Sequence, residues 1–192
     1  MLMIKKRTLM KFSTLFTAAV LAWSSVFAAE EPATQSTAPK KAPLAAGDKK
    51  FVKDQTEGLY FVMELIGQSK TNAQTEPVKK LGEKAKADFD KVWGDVAGFA
   101  TNNMEELPKE LKGADKSAAE RLKKADKKNW DKEFLKTTGK EVKKMARAFK
   151  DAKTLVSPDL KKIATDWGPI MSNYEGEWDT AEKEVAKIKP QP

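Results

Sequence analysis

The stretch SPDLKKIATDWGPIMSNYEGEWDTAEKEVAKI, residues 157–188, has the pattern of a long helix with one buried face. Ser157, Pro158 and Asp159 are a cap, a first-turn proline and a first-turn acid, in the order that starts a helix. Leu160, Ile163, Ala164, Trp167, Met171, Tyr174, Trp178, Ala181, Val185 and Ile188 then recur at three- and four-residue spacing. At about 100° per residue they share one narrow face, the mark of an amphipathic helix packed on one side. Pro169 lies inside the run, has no amide hydrogen and is expected to kink or split the helix.

Three further stretches carry the same period. One opens at Asp48, a good N-cap after Gly47, and carries Val52, Gln55, Leu59, Val62 and Ile66. A second has Pro77 in its first turn and shows Val78, Leu81, Ala85, Phe89, Val92, Val96 and Phe99, with Thr101-Asn102-Asn103 closing it. A third begins near Asn129 and carries Trp130, Phe134, Thr138, Val142, Met145, Phe149 and Ala152. Between the second and third, Ser117-Ala118-Ala119-Glu120 reads as a capping box for a short helical piece. No strand-like alternation and no internal repeat is visible. Long amphipathic helices with short connections predict an all-α chain, an antiparallel four-helix bundle with an extra short helix in the connection between its second and third helices.

The N-terminal segment has a different character. Lys5, Lys6, Arg7 and Lys11 precede an apolar run from Phe12 to Phe27 that ends in Val26-Phe27-Ala28-Ala29. A positive start, a short apolar middle and a small-residue exit define a cleaved secretory signal over 1–28. The run is shorter than the roughly 20 residues of a spanning helix, so the mature chain is expected to have no transmembrane span. Residues 29–47, AEEPATQSTAPKKAPLAAG, lack aromatic and β-branched aliphatic side chains and read as a disordered Pro/Ala-rich linker. The folded domain is then 48–189. The 36 basic and 28 acidic residues give a net charge of +8, but four of the positives and none of the negatives lie in the signal. The remaining excess is small, and an exported protein is not expected to bind nucleic acid.

Cysteine and histidine are both absent. That removes most hydrolase triads, zinc sites and haem ligation schemes, and leaves no usual neutral-pH acid or base. No catalytic residue, cofactor site or metal site is assigned, and no enzymatic activity is expected. Glu175-Gly176-Glu177-Trp178-Asp179 is acidic, yet lacks the ligand spacing of a calcium loop and reads as a solvated face. Trp130, Trp167 and Trp178 lie on the apolar stripes and read as core, whereas Trp93 falls beside its stripe. The most site-like feature is a basic stripe opposite Val142, Met145 and Phe149, formed by Lys140, Lys143, Lys144, Arg147 and Lys150. It would suit a polyanion, either an anionic envelope component or an acidic envelope protein. An ordinary solvated helix face is the plainer reading of these residues. Arg121 to Lys128, RLKKADKK, invites the same two readings.

Several blocks in order resemble the bacterial envelope family called domain of unknown function 4142. They are Asp48-x-x-Phe51, Val78-Lys79 leading to Asp88, and Leu107-Pro108-Lys109-Glu110-Leu111. Trp130-Asp131-x-x-Phe134 follows, where the family tends to have Phe-Asp-x-x-Tyr, and then Asp159-Leu160-Lys161 leading to Pro169. The resemblance implies a predicted outer membrane protein with a ferritin-like bundle. It also implies histidines at the positions of Phe89, Val142 and Tyr174, which in this sequence cannot form such a metal site. The expectation is a periplasmic or secreted binding or envelope-maintenance protein. The alternatives are a ferritin-like metal-binding protein and a helical periplasmic chaperone. N-terminal sequencing of the protein made in its own host should begin at Ala29 or Glu30; an intact Met1 on soluble cytoplasmic protein would sink the export reading.

Overall fold

The computed structural model describes residues 43–188. The chain divides into two units, Met1–Pro39 and Lys40–Pro192, and every described residue lies in the second. The expected signal at 1–28 and the linker up to residue 42 lie outside the described residues, as does Lys189 at the end of the expected domain.

All regular structure among the described residues is helical. Helix α1 spans Ala46–Asn72, α2 Glu76–Asn102, α3 Gly113–Lys123, α4 Lys127–Lys150 and α5 Pro158–Lys187, with a single 3-10 turn at Ala152–Thr154. The short α3 occupies the connection between the second and third long helices. Helix α1 packs on α2 and α4, and α5 packs on the same two, while α3 rests on α1 and α4. The four long helices therefore form a closed ring around one core. Only residues 73–75 join α1 to α2 and 151–157 join α4 to α5, so each pair is an antiparallel hairpin.

The core follows the stripes. Val52, Leu59, Val62 and Ile66 of α1 are buried, as are Val78, Leu81, Ala85, Phe89, Val92 and Val96 of α2. Trp130, Phe134, Val142, Met145 and Phe149 of α4 meet Leu160, Ala164, Met171, Tyr174 and Trp178 of α5 in the same cluster. Aromatic rings make much of the contact. Trp130 stacks on Phe134 at 5.0 Å between centroids, Phe134 lies 6.4 Å from Trp178, and Phe51 meets Phe149 edge-on at 5.4 Å. Each fully buried large apolar side chain contributes on the order of 1.5–3 kcal/mol. Gly139 lets α5 come close, since a Cβ there would stand 3.2 Å from Trp178 Cδ1.

Helix ends depart from expectation in instructive ways. Helix α1 begins at Ala46, two residues before Asp48, so Ala46 and Gly47 are helical rather than linker. Asp48 is not its N-cap. The carboxylate is 2 % exposed and turns away from its own helix, accepting hydrogen bonds from the backbone N–H groups of Val156 and Ser157 at 2.8 Å each. Ser117 is not a cap either. It lies inside α3 and donates to the Gly113 carbonyl at 3.1 Å, because the chain turns into α3 at Gly113 with φ +52, which glycine adopts freely. Helix α4 starts at Lys127, two residues before Asn129, with Asp126 accepting from the Lys128 N–H at 3.3 Å. Ser157 does cap α5, accepting from the Leu160 N–H. Pro169 does not split α5, which stays helical through it. Pro169 and Thr165 are both exposed, so water can satisfy the Thr165 carbonyl that loses its helical donor.

A second buried carboxylate mirrors the first. Asp131, 4 % exposed near the start of α4, accepts from the N–H groups of Gln74 at 2.9 Å and Thr75 at 2.7 Å. Each hairpin thus uses an aspartate from its first helix to hold the other hairpin's turn. With that geometry in view the two halves correspond. Asp48-Lys49-x-Phe51 matches Asp131-Lys132-x-Phe134, and Val78-Lys79-Lys80-Leu81 matches Leu160-Lys161-Lys162-Ile163. Buried Phe89, Val92 and Val96 then match buried Met171, Tyr174 and Trp178. The sequence hides this repeat because the shared property is burial, while residue identities differ at most positions.

Asp48→Ala and Asp131→Ala should each destabilise by about 2–3 kcal/mol, since each strands two buried or half-buried N–H groups that had a charged acceptor. The clamps sit at opposite ends of α1, roughly 35 Å apart at about 1.5 Å per residue, so the double variant should be close to additive. Asp126→Ala, an exposed cap with one long bond, should cost about 1 kcal/mol or less. Urea unfolding measures all four, and equal losses at Asp126 and Asp131 would refute the clamp.

Candidate functional site

The basic stripe is built on α4 because Val142, Met145, Ala146 and Phe149 turn inward and leave the opposite face to water. Its five cations do not behave alike. Lys143 reaches across to α5 and pairs with Asp179 at 2.6 Å. The hydrogen bond to Asp179 holds its ammonium above the usual lysine range, against the opposing effect of burial. Lys144 turns toward Glu141 at 3.0 Å. Lys140, Arg147 and Lys150 are exposed and make no ion pair among the described residues. The stripe is therefore three cations without an ion pair among the described residues, interrupted between Lys140 and Arg147 by two neutralised ones. The segment Arg121–Lys128 runs from the end of α3 into α4, with Leu122 tucked into the core and its lysines exposed.

The acidic cluster on α5 is dispersed among partners. Glu177 pairs with Lys84 of α2 and Asp179 with Lys143, so the structure uses these carboxylates to fasten α5 to its neighbours. Among the described residues no group of three or more carboxylates gathers around a common point.

The three positions at which the resemblance implies histidines are all fully buried. Phe89 and Tyr174 meet edge to face at 5.0 Å, and Val142 lies in the same cluster. The donor set does not fit a metal. Phe and Val have no ligating atom, and the Tyr174 hydroxyl is already committed as a donor to Asp88 Oδ2 at 2.8 Å. Burial first, and then Asp88, push the Tyr174 phenol far above its ordinary range. The same bond, more than the nearby Lys91, holds the Asp88 carboxyl below its ordinary value of 3.8 despite partial burial. No ligand-competent phenolate forms there near neutral pH.

Periodicity placed Trp130 and Trp178 correctly in the core. Trp178 also donates from Nε1 to Thr138 Oγ1 at 2.7 Å, which satisfies both groups. Trp167 differs from expectation. It is half-buried at the α2–α5 rim and donates from Nε1 to Asp95 at 2.7 Å, because its turn of α5 faces a polar position of α2. Trp93 is half-buried against Tyr60, 6.1 Å between centroids. Sequence reasoning missed the Tyr174–Asp88 and Trp167–Asp95 pairs. Their one advance signal is an aspartate immediately beside a stripe residue, Asp88 before Phe89 and Asp95 before Val96.

The family described as domain of unknown function (DUF4142) matches residues 33–179. This chain belongs to that family. A solved structure described as a DUF305 fragment from Deinococcus radiodurans is similar at TM-score 0.62 and 12% identity, covering 77% of this chain and 100% of that one. At that identity the likeness shows a shared helical fold. No curated relative matches the chain. No described helix is long and apolar enough to cross a membrane.

Tyr174→Phe isolates the buried pair. It should cost about 1 kcal/mol at pH 7, the usual worth of a hydrogen bond with some gain from the charged acceptor. Because the folded-state pKa of Asp88 is lowered, its contribution is fully present above the unfolded value and is lost as pH falls through the folded one. The stability gap between native protein and variant should therefore narrow below about pH 4. A gap that stays constant down to pH 2 would show that the hydroxyl contributes through packing alone.

Proposed function

We propose that this DUF4142 protein is an exported envelope protein, a ferritin-like antiparallel four-helix bundle. It works without catalysis, by binding an anionic envelope component through the basic face of α4. The observation that carries the reading is the contrast between core and surface. Inside, Phe89, Val142 and Tyr174 fill with apolar packing the place where a bundle of this type would hold ligating side chains. Outside, Lys140, Arg147 and Lys150 stand unpaired among the described residues on one helix face, which is the electrostatic footprint of an anion partner.

Export to the periplasm or beyond is supported by the basic cluster Lys5–Lys11, the apolar run Phe12–Phe27 and the small-residue exit at Ala28-Ala29. Absence of histidine and cysteine narrows the chemistry available to an enzyme of this family.

Titration of the mature protein with lipopolysaccharide tests the binding face. Lys140→Glu with Arg147→Glu should weaken binding about tenfold or more, and added salt should weaken the native interaction as well. Thermal unfolding with EDTA, Fe²⁺, Mn²⁺ or Zn²⁺ tests the metal alternative, since an ion at a hundredfold excess over its Kd would stabilise by about 2.7 kcal/mol. Unchanged affinity in the double variant would overturn the binding face, and a saturable rise in Tm with one ion would restore the metal reading.

A further inference from the structure

At the end of the basic stripe the α4 surface becomes concave. A groove of about 640 Å³ lies between the last turn of α4, the 3-10 turn and α5, within the range of small-ligand sites. Lys150, Lys153 and Lys161 line it, and no carboxylate does. None of the three forms an ion pair or hydrogen bond through its ammonium group among the described residues. Neighbouring grooves differ. The one between α1 and residues 103–112 carries Glu57, Glu105, Glu106, Glu110 and Asp115. The one between α3 and α4 carries Asp115, Glu133 and Glu141 beside its cations. In those grooves carboxylates stand among the lining residues; in the α4–α5 groove none does.

The remaining lining adds a second kind of recognition. Ala152, Gly168 and Pro169 supply apolar surface, Ser172 supplies a hydroxyl, and Thr165, whose hydroxyl donates to the Lys161 carbonyl at 2.8 Å, supplies an acceptor oxygen. Pro169, also in the lining, has no N–H, so the Thr165 carbonyl has no helical donor and is open to a ligand hydroxyl. Unpaired ammonium groups answer a compact multiply charged anion, for which lysine is a common partner, whereas bidentate carboxylate recognition favours arginine. Hydroxyl and carbonyl groups beside an apolar patch answer a polyol ring.

We propose that the α4–α5 groove is a binding site for a phosphorylated sugar, with Lys150, Lys153 and Lys161 meeting the phosphoryl group and Thr165, Ser172 and the Gly168–Pro169 segment meeting the sugar. This rests on the reading that the chain binds an anionic component and gives that component a seat.

Titration of the full mature chain with glucose 6-phosphate, followed by amide chemical-shift changes, tests it. Glucose 6-phosphate should shift residues 149–172 saturably, and more tightly than inorganic phosphate, glucose or gluconate. Lys153→Glu with Lys161→Glu should weaken binding by about tenfold or more. Gly168→Leu should do the same by filling the groove. Its first added carbon would sit 3.7 Å from the Phe149 carbonyl, an ordinary contact, so folding should survive and an unchanged Tm would confirm it. Lys127→Glu with Lys128→Glu, exposed at the opposite end of α4, should alter glucose 6-phosphate binding less than about twofold.

Loss of lipopolysaccharide binding in the Lys140/Arg147 variant without any glucose 6-phosphate response at the groove would overturn this proposal and leave the α4 reading standing. Binding of neither lipopolysaccharide nor glucose 6-phosphate by the native chain would overturn both. Equal binding of gluconate, or shifts seen only with anionic phospholipid vesicles, would also overturn the assignment to a phosphorylated sugar.

Discussion

Two buried aspartates, Asp48 and Asp131, each spend both carboxylate oxygens on consecutive backbone amides of the opposite hairpin's turn. An unpaired carboxylate is costly to bury, and so is an unpaired amide, but each satisfies the other. The result fixes where the α4–α5 turn meets the start of α1 and where the α1–α2 turn meets the start of α4. Apolar stripes alone would let helices slide along one another by a turn at modest cost. The two clamps act at opposite ends of α1 and remove that freedom, so the aromatic contacts between them form in one register.

That register decides what the interior can be. Phe134 meets Trp178, and Phe89 meets Tyr174, because α4 and α2 are each held at a fixed height against α5. Several polar groups that enter the core are paired within it or at its rim, while Gln55 Oε1 and Trp130 Nε1 are buried without a hydrogen-bond partner among the described residues. Thr138 takes the Trp178 indole, Asp88 takes the Tyr174 hydroxyl, and Asp95 takes the Trp167 indole. An interior of this kind gives a ligand no free donor at these positions, which moves the search for function to the surface. There the α4 face and the α4–α5 groove stand out because Lys140, Arg147, Lys150, Lys153 and Lys161 form no ion pair among the described residues, unlike Lys143 and Lys144, which pair with Asp179 and Glu141.

The correspondence between the hairpins adds a physical explanation for the long middle connection. Residues 103–126, including α3, carry the chain from the end of the first hairpin to the start of the second. Helix α3 uses Ala119 and Leu122 to seal against α1 and α4 on the way. The Tyr60 hydroxyl donates to the Lys109 carbonyl at 3.1 Å and fastens the connection to α1.

Helix identity was legible in the sequence, since a stripe such as Leu160–Met171–Trp178 fixes which face is buried whatever the partner. Most core residues of the four long helices followed from it, as did the Ser157 cap and the outward stripe on α4, but buried Phe61, Leu65, Leu135 and Ala146 lie outside the stripes read from the sequence, and Ile188, read as the end of one, is 50 % exposed. Helix boundaries at Ala46, Gly113 and Lys127 were not legible, because Asp48 and Ser117 have the right chemistry for caps and only tertiary contacts decide where that chemistry is spent. The same limit explains Trp167, whose period matches the core but whose neighbour across the interface is Asp95. It explains the groove too, whose lysines come from the end of α4, the turn and the start of α5 and look unrelated along the chain. Periodicity is a property of one helix and can be read from one segment. Register, pairing and unanswered charge are properties of two surfaces meeting, and they exist only once the chain has folded.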